Sequence, residues 1–139
     1  MYSVKKHVTG LILLLIIILS FSIMETDAER VHVRITNMLG QGTNSQMRCL
    51  SKHGGPDVDT QDVPYMGLYE FSFKSSIWGI TKYNCEFVFN GVSHWYQIYN
   101  QHNSECTSMC WWIIKVDGPC LIQKIQDVND DFDCRPWNN

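Results

Sequence analysis

The chain is 139 residues long, 45% hydrophobic and 12% aromatic, with eleven Lys and Arg against fourteen Asp and Glu. That length suits one small domain with a modest core, and the packing residues are too many for a disordered chain. A net charge of -3 excludes a protein built to ride on phosphate backbones, so nucleic acid is not an expected partner.

Residues 1–28 read as a secretory signal peptide and residues 29–139 as the mature domain. Lys5, Lys6 and His7 give a basic start, and Leu11 to Leu19 is an unbroken apolar run. The run meets Glu25 and Asp27 too soon to span a bilayer, which takes roughly 20 apolar residues, and Ala28 offers a small residue for cleavage. The mature part holds nine basic and twelve acidic residues, so its balance is still -3. With the leader removed, no segment is left for direct insertion into a membrane.

Secretion gives the cysteines their meaning. Cys49, Cys85, Cys106, Cys110, Cys120 and Cys134 all lie in the mature part, and an oxidising compartment turns such an even set into three disulfides. Six cysteines allow roughly 15 connectivities, which spacing alone does not resolve. A zinc site lacks both a Cys-x-x-Cys and a closely spaced His pair, so no metal is expected.

The mature chain then reads as strands. Val31, Val33 and Ile35 alternate with His32, Arg34 and Thr36; Tyr69, Phe71 and Phe73 with Glu70, Ser72 and Lys74; Tyr83, Cys85, Phe87 and Phe89 with Lys82, Asn84 and Glu86. This period of two puts one set of side chains in a core and the other in water. Asn90-Gly91 predicts a two-residue hairpin turn that folds Ser93 to Asn100 back, and Asp117-Gly118 does the same between Cys110 to Val116 and Leu121 to Ile125. Met38 to Ser45, Lys52 to Pro64 and Gln101 to Ser108 read as irregular connections. No helical periodicity competes. The expected fold is all-β, an antiparallel two-sheet sandwich of seven or eight short strands, with a small closed barrel as the alternative.

No catalytic set emerges. His32, His53, His94 and His102 stand outside the His-Gly-Leu-Trp-Pro setting of secreted ribonucleases, and there is no Gly-x-Ser-x-Gly elbow. Six paired cysteines leave no thiolate nucleophile, and Asp57, Asp59 and Asp62 on a breaker-rich segment read as a solvated loop. The expectation is a non-enzyme without a cofactor. Among Trp95, Tyr96, Tyr99, Trp111 and Trp112, neighbours on a strand must face opposite ways; Trp112 belongs to the core, and Trp95, Tyr99 or Trp111 to an outer face.

The order of these features resembles a plant family, the S-protein homologues, which includes the stigma determinant of self-incompatibility in poppy. Its carriers are Val31-His32-Val33-Arg34-Ile35-Thr36-Asn37-Met38-Leu39, Cys49-Leu50-Ser51-Lys52 and Tyr69-Glu70-Phe71-Ser72-Phe73. After these come the Cys85 strand, His94, Cys106, Cys110-Trp111-Trp112, Asp117-Gly118 and Trp137. The resemblance implies a secreted extracellular ligand that meets a pollen plasma-membrane receptor and triggers arrest of incompatible pollen. A defence protein, antimicrobial or inhibitor, is the alternative of a different class; a general signalling member of the family is another. Cys120 and Cys134 exceed the four cysteines typical of the family, which makes them the preferred pair. Among the other four, a Cys106 to Cys110 bridge is least favoured, because closing a short loop removes little unfolded-state entropy.

Strand residues are committed to packing, so partner recognition is expected in loops. The residues chosen are Asp57, Asp59 and Asp62 in the acidic loop, Ser76, Ile77 and Trp78 before Gly79, and His102, Asn103 and Glu105 before Cys110.

Overall fold

Alternation of β-branched and polar residues produces the first strand as expected. A computed structural model describes residues 2–26, 30–103, 105–123 and 132–138. β1 (Arg30–Asn37) buries Val31, Val33 and Ile35 and turns His32, Arg34 and Thr36 outward. Eight strands follow: β2 (Ser45–Lys52), β3 (Val58–Val63), β4 (Leu68–Lys74), β5 (Lys82–Phe89), β6 (Val92–Asn100), β7 (Met109–Lys115), β8 (Gly118–Ile122) and β9 (Phe132–Cys134). They form a five-stranded sheet in the order β4-β1-β7-β8-β9 and a four-stranded sheet in the order β3-β2-β5-β6. The fold is all-β with two sheets. It has nine strands among the described residues, and one ladder, β1 against β7, is parallel, because the chain visits the second sheet between those two strands.

The core lies between the inner faces, where Ile35, Tyr69, Phe73 and Ile114 of one sheet meet Met47, Tyr83 and Phe87 of the other. Asn37 ends β1 fully buried, yet each polar atom of its side chain is satisfied. Its amide nitrogen donates to the carbonyls of Thr43 and Val63, both at 2.9 Å, and its oxygen accepts from the Leu39 N–H. One side chain thus ties the ends of β1 and β3 and the loop that leads into β2. At this same end Trp137 closes the sandwich: its ring stacks on His94 at 4.7 Å, and His94 stacks in turn on Phe89 at 4.8 Å.

Upstream, the segment expected to be a signal peptide forms a helix, α1 (Tyr2–Thr26), in which each residue from Leu11 to Leu19 is more than half exposed. No described helix is long and apolar enough to cross a membrane. The junction between Ala28 and Glu29 lies outside the described residues, as does Ile125, the expected end of the last returning strand.

Three disulfides are present. Cys49–Cys85 and Cys120–Cys134 each join residues directly opposite one another on neighbouring antiparallel strands. The third is Cys106–Cys110, the closure ranked last on entropy. Geometry overrides that ranking: Cys49 and Cys85 are already cross-strand partners, and the short bridge pins the loop that feeds β7.

Local differences have physical causes. Lys52 to Pro64 is not wholly irregular, because β3 occupies its second half. This strand lies at a sheet edge, needs no apolar alternation, and carries Asp59 and Asp62 where charge discourages edge-to-edge pairing. The second hairpin turns one residue early, at Val116 and Asp117, with Gly118 already paired to Lys115. Tyr99 is core, not outer face, at 4% exposure. A register shift between Tyr83 and Asn84 on the partner strand breaks the alternation of β6, so Ile98 and Tyr99 are both buried.

Two core tyrosines use their hydroxyls on backbone carbonyls, Tyr69 on the start of β3 and Tyr83 on the loop before it. Tyr69 donates to the carbonyls of Val58 and Asp59, at 3.2 and 3.0 Å, and Tyr83 to that of Pro56 at 2.9 Å. Burial pushes the Tyr69 phenol up to about 12, with the Asp59 charge acting in the same direction, and burial also raises Tyr83. The unfolded chain releases these protons near the ordinary value of 10.0. Their contribution is therefore fully present below that pH and is lost as pH rises toward about 12. Urea midpoints are expected to hold steady up to pH 9 and fall between 10 and 12, with a smaller fall in Tyr69→Phe; an equal fall in that variant would contradict the assignment.

Candidate recognition surface

The registers decide which loops meet. Lys52 lies opposite Lys82, and Lys82 opposite Asn100, so the connections after β2, before β5 and after β6 leave the sandwich at one end. The first is bent by Gly54 and Gly55, at φ 125° and 83°, conformations that a side chain would strain. Gly55 also leaves no room, since a Cβ there would stand 2.3 Å from the Tyr83 hydroxyl oxygen. The Ser51 hydroxyl donates to the Gly54 carbonyl, and the Asp57 carboxylate accepts the Ser51 N–H at 2.7 Å.

Thr81 and Gln101 knot the three loops together. The Thr81 side chain is fully buried; its hydroxyl accepts from the Ser76 N–H at 3.1 Å and donates to the His53 carbonyl at 3.3 Å. Gln101 accepts the Thr81 N–H with its side-chain oxygen, donates its own N–H to the Thr81 carbonyl, and donates its amide nitrogen to the Ser76 carbonyl at 2.7 Å. Neither residue was a sequence candidate. Isolated Thr and Gln beside loops carry no pattern that marks them.

On this rigid base stands an apolar tip, with Ile77 85% and Trp78 78% exposed. The Ser76 hydroxyl oxygen accepts the Trp78 N–H at 3.1 Å, and the Gly79 N–H closes the turn on the Ser76 carbonyl. Asp57, Ser76, Ile77, Trp78, His102 and Asn103 thus belong to loops that emerge together. The other three chosen residues do not join them in the same way. Asp59 and Asp62 sit on the β3 edge, and the Glu105 carboxylate is held by Arg135, which also donates to Asp133 at 2.8 Å.

The outer sheet faces are closed differently. Arg34 pairs with Glu70 directly across the strands and lies 5.3 Å over the Trp111 ring; on the other sheet Arg48 pairs with Glu86 and lies 5.2 Å over Trp95. Each guanidinium covers one face of its indole, so the outer-face residues Trp95 and Trp111 are engaged by their own neighbours. Among the described residues no three His, Cys, Asp or Glu gather as a metal site.

Residues 32–137 match the family model described as plant self-incompatibility protein S1. The chain belongs to that family. Similar members include S-protein homolog 3 of Arabidopsis thaliana, 29% identical over 144 residues covering 96% of this chain and 93% of the relative. Self-incompatibility protein S1 of Papaver rhoeas is 28% identical, covering 74% of this chain and 77% of its own. A solved structure described as a self-incompatibility protein homologue, from a widespread family of small, highly stable, secreted plant proteins, superposes with a TM-score of 0.55. It is 17% identical and covers 81% of this chain and 97% of its own, which supports the sandwich fold. In this chain the landmarks of the resemblance take structural roles: Asn37 is the buried polar tie, His94 and Trp137 the stacked closure, and Cys49 and Cys85 the cross-strand bridge.

Proposed function

We propose that this secreted S1-family protein is a ligand without catalytic activity. Its three-loop end meets a pollen plasma-membrane receptor, and a match between the two arrests incompatible pollen. Support comes from membership in a family that includes a protein named for self-incompatibility. The observation that carries the reading is the loop end itself: three loops tied together by buried Thr81 and half-buried Gln101, with two large apolar side chains held in water. Such a preorganised aromatic anchor loses little entropy on binding and is the usual centre of a protein interface.

The leader is taken to be removed after Ala28. A measured mass equal to residues 29–139 less six hydrogens is expected from cleavage and three bridges together.

Recognition is tested by alanine variants of each loop, with the fold checked by circular dichroism and potency measured on pollen carrying the matching allele. Replacing Ile77 and Trp78 is expected to lower potency at least about tenfold, the loss of one interface hot spot, and replacing His102 and Asn103 by less. Replacing Asp59 and Asp62 on the β3 edge is expected to change little. Full potency in all loop variants, with loss on Trp95→Ala, would move recognition to the sheet face.

A further inference from the structure

The whole-chain charge of -3 conceals an uneven distribution. In the antiparallel registers Lys52 stands directly opposite Lys82, and Arg30 directly opposite Lys74. Like charges facing one another across strands are unfavourable, and here two such pairs, one in each sheet, lie at the same end of the sandwich. Among the described residues no carboxylate pairs with Lys52, Lys74 or Lys82. Asp57, in the loop after Lys52, accepts the Ser51 N–H at 2.7 Å.

The apolar tip rises from the middle of this charge. In Lys74-Ser75-Ser76-Ile77-Trp78-Gly79-Ile80-Thr81-Lys82, lysines stand at both feet of the loop, and Ile77, Trp78 and the 44% exposed Ile80 lie between them. Depth along the molecule therefore runs from apolar at the tip to basic at the base. That order matches the boundary of a bilayer, where indole and aliphatic side chains sit at the acyl margin and lysines among the phosphates.

We propose that this end docks peripherally on an anionic lipid surface, with Ile77 and Trp78 in the interface and Lys52, Lys74 and Lys82 at headgroup level. The contact is superficial and spans nothing, and it deepens the reading of the loop end as the working surface by placing the ligand in the plane of its receptor. A lipid surface fits better than an acidic protein groove because the charges are spread over both sheets around a projecting tip.

The secreted, fully bridged protein is tested by co-sedimentation with vesicles of phosphatidylcholine alone and of phosphatidylcholine with about a third phosphatidylserine, at low and physiological salt. Expected are at least about tenfold tighter binding to the anionic vesicles, weakening with salt, and a comparable loss in both Ile77→Ser/Trp78→Ser and Lys74→Ser/Lys82→Ser. Equal affinity for both vesicle types, or no binding by protein with native circular dichroism, overturns the proposal. Pollen assays of the same variants separate the two readings. Absent vesicle binding with lost pollen potency would assign the end to a protein partner; lost vesicle binding with full potency would leave lipid docking standing and overturn receptor recognition there.

Discussion

Replacing Cys49 and Cys85 together by alanine is expected to lower stability by about 4 kcal/mol, against about 3 for Cys120 with Cys134 and about 2 for Cys106 with Cys110. The order follows from the chain each bridge spans, with sequence separations of 36, 14 and 4. A longer closed loop removes more freedom from the unfolded chain. The first pair adds a cavity, because both residues are fully buried at the centre of the four-stranded sheet. Against a total stability of roughly 5 to 15 kcal/mol, that loss alone brings the domain close to unfolding. Guanidinium midpoints of the three double variants should fall in this order, and reduction of all three bridges should abolish activity. A Cys106/Cys110 variant less stable than the Cys49/Cys85 variant would contradict the account, as would full activity with all thiols shown free.

The second large effect is at the opposite end from the loops. After β9 the chain crosses the start of β8: the Arg135 N–H donates to the Pro119 carbonyl at 3.0 Å, and the Trp137 indole N–H to the Val116 carbonyl at 2.9 Å. The Trp137 ring packs 5.6 Å from Phe87 and 4.7 Å from His94. This crossing requires a bare backbone beneath it. A Cβ on Gly118 would stand 1.8 Å from the Arg135 carbonyl oxygen, and its φ of 150° disfavours any side chain. Trp137→Ala is expected to cost about 3 to 5 kcal/mol by emptying the space between the sheets. Gly118→Ala should cost a similar amount for a different reason, since it lifts the same segment away. The two losses therefore overlap. The double variant should be little worse than the poorer single variant, and losses that simply add would show that Gly118 and Trp137 act independently. Below their melting temperatures both variants should keep pollen potency, because the clasp lies away from the three loops.

How far the sequence carried the fold depends on how local each signal is. β1, β5 and the Asn90-Gly91 turn were legible because alternation and turn chemistry sit within a few residues, and Asn90 and Gly91 adopt the positive φ values such a turn requires. β3 was not, since an edge strand with one neighbour and a water-facing side needs no apolar pattern. The burial of Tyr99 depended on a register shift against the neighbouring strand, which no local pattern announces. Entropy ranked the Cys106–Cys110 bridge last, yet pairing was decided by which cysteines the ladders had already brought face to face. At the three-loop end the exposed tip could be chosen from its loop context. The residues that hold the three loops in place, Thr81 and Gln101, meet only through tertiary structure. The basic character of that end was likewise hidden in the whole-chain charge until the registers set Lys52 against Lys82.

The central claim is that the three loops at one end, and not the bridged scaffold, carry recognition. It is tested most directly by transplanting residues 53–57, 75–81 and 101–105 together onto another S1-family member that does not act on the matching pollen, keeping that host's own strands and cysteines. The chimaera, once shown to be folded and bridged, is expected to inhibit growth of the matching pollen tubes at concentrations close to those of the parent protein. A folded chimaera that retains only its host's behaviour, while the reciprocal loop exchange leaves this protein fully potent, would contradict the account.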